Sequence, residues 1–157
     1  MRLLVFSDSH GKARAVNDML HQAARGGRPE LILFAGDGIY DALDLRFEGY
    51  QVMAVRGNCD LSVPPDIPEE MTFPVNGVAI YLCHGHRLKV KQSLGPLFAR
   101  AREVGAVLAI FGHTHTQLLE YKEGIYLLNP GAMRENEYAL VTVDSQGGIN
   151  CRLHGQS

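Results

Sequence analysis

Leu3-Leu4-Val5-Phe6-Ser7-Asp8-Ser9-His10-Gly11 begins with an apolar run and ends on two metal-ligating side chains. The run is too short for a helix and has no polar interruption. It reads as a strand, residues 2–7, buried on both faces. The same design returns at Leu31-Ile32-Leu33-Phe34-Ala35, which leads into Gly36-Asp37-Gly38. Between them, Val16, Met19, Leu20 and Ala23 recur at i, i+3, i+4 and i+7. That spacing predicts a helix over 12–25, stopped by Gly26-Gly27. A short helix over 40–47 and a third strand over 51–56 come next, the strand running into Gly57-Asn58-Cys59-Asp60. A β-α-β-α-β order predicts a parallel sheet.

Downstream the pattern changes. Pro64, Pro65 and Pro68 mark 61–70 as an irregular connection. Asn76-Gly77 between 71–75 and 78–83 is a strong hairpin signal. A second well-patterned helix, the third in all, is predicted over 92–104, with Leu94, Leu97, Phe98 and Ala101 on one face. Gly95-Pro96 near its start implies a late start or a distorted first turn. Residues 106–111 form another apolar strand. The tail reads as β only, over 117–122, 125–129, 137–143 and 149–154. A mixed first half and an antiparallel second half predict an α/β protein with two sheets packed together and helices outside.

At 157 residues the chain is expected to form a single domain over 1–157, large enough for a real core. Net charge is −2 and pI about 6.4. Arg87, Lys89 and Lys91 make only a local basic cluster, so no long nucleic-acid partner is expected. No apolar run is long enough to span a membrane, and the first strand opens without a signal-peptide pattern. Cys59, Cys83 and Cys151 are odd in number and widely spaced, which favours reduced thiols and a cytoplasmic setting. Cys59 and Cys83 stand beside candidate ligands but read as small apolar filler.

The ligand-type residues fall in patches, each behind an apolar run: Asp8-Ser9-His10, Gly36-Asp37-Gly38, Gly57-Asn58-Cys59-Asp60, His84-Gly85-His86 and Gly112-His113-Thr114-His115. Three of them repeat a ligand type at i, i+2, which on a strand means the same face. The candidates are Asp8, His10, Asp37, Asn58, His84, His113 and His115. Carboxylate, amide and imidazole donors without thiolate suit Mn, Fe, Co, Ni or Zn. Seven ligands exceed one tetrahedral site and suit two divalent ions sharing a carboxylate, a standard device for phosphoryl hydrolysis.

The order Asp-x-His, Gly-Asp, Gly-Asn-x-Asp, His-Gly-His, Gly-His-Thr-His resembles the calcineurin-like metallophosphoesterase superfamily. Ser7-Asp8-Ser9-His10-Gly11, Val55-Arg56-Gly57-Asn58-Cys59-Asp60 and Leu128-Asn129-Pro130-Gly131-Ala132 resemble its small prokaryotic branch, the YfcE-type phosphodiesterases. The resemblance runs from residue 2 to about residue 143. It implies two mixed sheets packed as a sandwich with flanking helices. It also implies a division of ligands: Asp8, His10 and His115 to one metal, Asn58, His84 and His113 to the other, with Asp37 bridging. Mn stands first among the ions, and assembly into a homo-oligomer is a property of the branch.

Much of the superfamily carries a histidine where this chain has Cys59, and a thiol is a poor substitute for an imidazolium. His86, two residues past His84, is the replacement candidate for protonating the leaving group. Asp60 reads as a carboxylate that bonds the loop, supports a ligand imidazole or caps the next segment. Asn129-Pro130-Gly131 reads as a tight turn. Arg14, Arg56 and Arg134 read as surface residues rather than phosphate binders. The expected activity is hydrolysis of a small phosphodiester by water. The alternatives are a non-catalytic protein-interaction scaffold on the same fold, the role of a retromer subunit resembling this family, and a phosphomonoesterase or nuclease of the superfamily.

Overall fold

The computed structural model describes residues 1–155. Strands β1 (Arg2–Phe6), β2 (Leu31–Phe34) and β3 (Val52–Ala54) pair in parallel, with helices α1 (Ala13–Ala23) and α2 (Ile39–Phe47) between them. A hairpin, β4 (Glu70–Val75) and β5 (Val78–Cys83), leads to helix α3 (Gly95–Glu103) and strand β6 (Ala106–Ile110). Strands β7 (Leu118–Lys122), β8 (Ile125–Asn129), β9 (Tyr138–Val143) and β10 (Ile149–His154) complete the chain. They form two five-stranded sheets, ordered β10-β9-β1-β2-β3 and β4-β5-β6-β8-β7.

The expected elements are present, and the sandwich of two mixed sheets is what forms. Three details differ. The second half is only partly antiparallel: the β4–β5, β7–β8 and β9–β10 pairs are, but β5, β6 and β8 run parallel, while β9 crosses to the first sheet and pairs antiparallel with β1. Strand direction depends on the connections, and the helix between β5 and β6 makes a parallel crossover. The third helix starts at Gly95 with Pro96 in its first turn, not at 92. Proline fits there because the first-turn N–H groups have no partner within the helix. Only Leu97 and Ala101 of its expected face are fully buried. Finally, the tail is not purely β, since Met133–Glu135 forms a 3-10 turn.

Each central strand alternates between two cores. Leu3, Val5 and Leu33 meet Ile80, Leu82, Leu108 and Ile110 between the sheets. Leu4, Phe6, Ile32 and Phe34 face outward, under the expected α1 stripe of Val16, Met19, Leu20 and Ala23 and under Ile39, Ala42 and Leu45 of α2. Helix α3 covers the far side of the second sheet, against Tyr81, Ala109 and Leu127. Asn76 and Gly77 both take positive φ (46° and 84°), as the tight β4–β5 turn requires. Among the described residues no helix is long and apolar enough to cross a membrane.

Candidate metal centre

The parallel strands of both sheets deliver their succeeding residues to one end of the sandwich. Asp8 and His10 come after β1, and Asp37 after β2. His84 comes after β5, and His113 and His115 after β6. The expectation that strand pleating aligns the i, i+2 pairs does not hold. Asp8, His10, Asp37, His113 and His115 have φ of 53°, 45°, 65°, 71° and 63°, all left-handed. Each such non-glycine residue costs roughly 1–3 kcal/mol and persists where its surroundings dictate it, typically at functional sites. The strands end just before the ligands, and sharp turns aim the side chains.

The side chains gather in two sets. Asp8, His10 and His115 each present a ligand atom within 4.8 Å of the others, and so do Asp37, His84 and His113. His115 Nε2 lies 3.1 Å from Asp8 Oδ1, and His84 Nε2 lies 3.2 Å from Asp37 Oδ2. The sets adjoin, with His84 Nε2 4.0 Å from Asp8 Oδ1.

Each central ligand has one atom tied to the protein and one free. Asp8 Oδ2 accepts from the Ser7 hydroxyl at 2.6 Å and the His113 N–H at 3.2 Å. Asp37 Oδ1 accepts from the Cys59 N–H at 2.8 Å. His84 Nδ1 lies 2.7 Å from the Ala35 carbonyl, which can only accept. Nδ1 therefore carries the hydrogen, and Nε2 of the neutral ring is a bare lone pair. Asp8 Oδ1 and His84 Nε2 are buried without a hydrogen-bond partner. Lone pairs converging in a buried place repel unless a metal ion or a proton lies between them. These donors fit divalent metal ions, with the second nitrogen of His84 anchored as metal-bound histidines usually are.

The same convergence shifts the acidities of these groups. Burial opposes charge on Asp37, but the His84 ring and the Cys59 N–H outweigh it and hold the carboxyl at about 2. Burial also opposes charge on His84, yet Asp37 and Asp8 push its pKa above the ordinary imidazole value. His86 and His113 move the other way, lowered first by burial and then by the neighbouring His84.

Backbone approach is close. A Cβ on Gly36 would lie 2.7 Å from His84 Nδ1, and one on Gly112 would lie 2.1 Å from Ser7 Oγ. Asp60 does more than its sequence context suggests. Its oxygens accept from the N–H groups of Asp37, Gly38, Ile39 and Gly57 at 2.8–3.0 Å. One carboxylate thus caps α2 and fixes the backbone of Asp37. Asn129 is also more than a turn residue: its amide donates to Gly112 O and Thr114 Oγ1, holding the His113–His115 loop. A buried Asn at a strand end was the available signal.

Asn58 is exposed on the Gly57–Asp60 loop, its amide nitrogen 3.7 Å from Cys59 Sγ. Cys59 is exposed, not buried filler, whereas Cys83 is buried. Burial and then Asp37 raise the Cys59 thiol pKa. The His86 ring centroid lies 5.5 Å from that of His84 and 6.2 Å from that of His113. Its Nδ1 is buried and unpartnered. His86 also lines a cavity of about 420 Å³ with Tyr81, Cys83, Leu88, Glu69 and Glu70. Arg56 pairs with Glu69 and Arg134 with Glu135, as expected of surface residues.

Strand-end turns that converge two His/Asp sets fit a metal-dependent hydrolase. The calcineurin-like phosphoesterase superfamily domain matches residues 1–146, and the chain belongs to that family. It is 31% identical over 153 residues to "Probable metallophosphoesterase YsnB" of Bacillus subtilis, covering 92% of this chain and 86% of that one. To "Phosphodiesterase YfcE" of Escherichia coli K12 it is 28% identical over 156 residues, covering 85% and 79%. Its fold is also that of Vps29 from Entamoeba histolytica, solved with zinc: TM-score 0.74 at 22% identity, over 99% of each chain.

Proposed function

We propose that the protein is a two-metal phosphodiesterase in which water attacks a small phosphodiester. One observation carries the reading: two sets of ligand atoms adjoin at His84, with Asp8 Oδ1 and His84 Nε2 left bare in a buried site. When bound, a pair of divalent ions supplies Lewis acidity toward phosphate oxygens and a water ionised near neutral pH. Asp8, His10 and His115 would hold one ion; Asn58, His84 and His113 would hold the other; Asp37 would serve both. Mn is the first candidate, with Ni, Fe, Co and Zn chemically admissible.

The remaining roles belong to the protein. Asp60 and the Cys59 N–H hold Asp37 in place. His86 stands beside the ligand sets and would give a proton to the leaving oxygen, a task for which the raised thiol of Cys59 is ill suited. The cavity that His86 lines has room for one arm of a small diester and supports that substrate class over a long nucleic acid. Among the described residues, Arg87 is the one Lys or Arg on its walls. The free thiols favour a cytoplasmic setting. Assembly into a homo-oligomer is kept as an expectation from the branch.

The test is hydrolysis of an activated phosphodiester by metal-loaded protein. Turnover should stop on strong chelation and return with Mn or a similar ion. A folded protein with no turnover across a broad panel of metals, diesters and monoesters would instead be the interaction scaffold. Preference for monoesters would make it a phosphomonoesterase.

A further inference from the structure

We infer that the outer face of the first sheet carries a second ligand site, separate from the metal centre, that binds a small phosphate-bearing anion. A cavity of about 490 Å³ opens between the end of α1 and strands β1, β9 and β10. That volume is within the range of small-molecule sites. Arg2, Arg25, Arg152 and His154 line it, and among the described residues no Asp or Glu does. One carboxylate, Asp18, lines the adjoining cavity that shares Tyr138 and His154.

The three guanidinium groups are not equivalent. Arg2 is spent on structure, donating to Ala23 O at 3.0 Å and Gly27 O at 2.9 Å at the end of α1. Arg25 and Arg152 have no hydrogen-bond or carboxylate partner among the described residues. They come from different elements, the 3-10 turn after α1 and strand β10, and line the same cavity. Like charges kept together without a counter-charge cost the fold energy, and an anion removes that cost. The planar fork of Arg matches phosphate with paired hydrogen bonds.

The wall beside them is preformed. His154 stacks on Tyr138 across strands β10 and β9, with ring centroids 5.0 Å apart and planes 6° apart. His154 Nε2 is buried with no hydrogen-bond partner. Burial and then Arg152 and Arg2 lower the His154 pKa, which leaves the positive charge to the arginines. None of the lining residues is a candidate metal ligand. Arg2 precedes Asp8 by the length of β1, roughly 20 Å at the rise of a strand. A small substrate at the metal centre does not reach this cavity.

The test uses the full-length protein freed of metal by chelation and then dialysed free of chelator, so that the metal centre takes no part. Inorganic pyrophosphate is titrated in by calorimetry at low and high salt. Saturable one-to-one binding is expected, weaker at high salt. Arg25→Ser with Arg152→Ser should weaken it at least about tenfold, from two lost charge-assisted bonds. Asp37→Asn should leave it unchanged. Circular dichroism checks that the double variant folds, and Arg152→Ser alone gives a second reading. No saturable binding, equal affinity in the arginine variants, or loss of binding in Asp37→Asn would overturn the proposal.

Discussion

The candidate ligands divide their atoms: one is committed to the protein and the other faces the site. This fixes what single substitutions should do. Asp37 holds Cys59 N–H with Oδ1 and turns Oδ2 to His84. Asp37→Asn keeps the shape but removes the charge that would offset two dications. Metal content by elemental analysis and turnover should fall together, by more than the ~10–100-fold typical of losing an outer hydrogen-bond partner. A variant that keeps two ions and normal rate would remove Asp37 from the bridging position. His86 makes a different prediction. A ring whose pKa is held down releases a proton easily, though fewer rings carry one near neutral pH. His86→Ala should spare metal content and slow alkyl diesters by ~10²–10⁴-fold, the scale of general acid catalysis. Nitrophenyl diesters, whose leaving group needs no proton, should lose much less. An equal loss on both would assign His86 to phosphate binding. Residue types at this scale were legible because a rare donor set recurred behind apolar runs. The left-handed backbone at Asp8, Asp37 and His113 was not legible. Asp and His enter positive φ more readily than most residues, but their sequence does not say at which positions, which neighbours beyond the local segment decide.

At the scale of elements, the site depends on the turns that leave the strand ends, and Asp60 shows how these turns are coupled. It lies after β3 yet caps α2, the helix next in the chain after β2. Its negative charge sits at the helix N-terminus, where the dipole favours it. Asp60→Asn would turn an NH₂ group toward N–H donors now facing an oxygen. Each orphaned donor costs about 1–3 kcal/mol. Thermal unfolding should come at a lower temperature, and metal affinity should drop ~10–100-fold although Asp60 touches no candidate ligand side chain. Unchanged metal affinity in a destabilised protein would confine Asp60 to the helix cap. Sequence periodicity located α1 and its buried stripe because amphipathic spacing is local. It could not reveal that Asp60 reaches back 21–23 residues to the α2 turn, nor that β8 lies parallel beside β6. Those pairings are settled by packing between distant segments.

For the whole molecule, the decisive fact is that neither sheet holds a complete site. Asp8, His10 and Asp37 come from the first sheet, and His84, His113 and His115 from the second. The apolar layer of Leu3, Val5 and Leu33 against Ile80, Leu108 and Ile110 joins the sheets along their length. At the site's end, unpartnered polar atoms face each other instead. That end is the weak edge of the sandwich unless cations fill it. Metal binding should therefore be a folding term. An ion bound only by the folded state at a hundred times its Kd adds about 2.7 kcal/mol. Scanning calorimetry should show a higher melting temperature with added Mn and a lower one in EDTA. The origin of the term can be tested from both sheets. Asp8→Asn disables the first sheet's contribution and His113→Ala the second's, and each changes a different ligand set. If the site stitches the sheets, each variant should lose a large part of the metal-dependent rise. Full retention in His113→Ala alongside complete loss in Asp8→Asn would place all metal affinity on one sheet and leave the other as a neighbour.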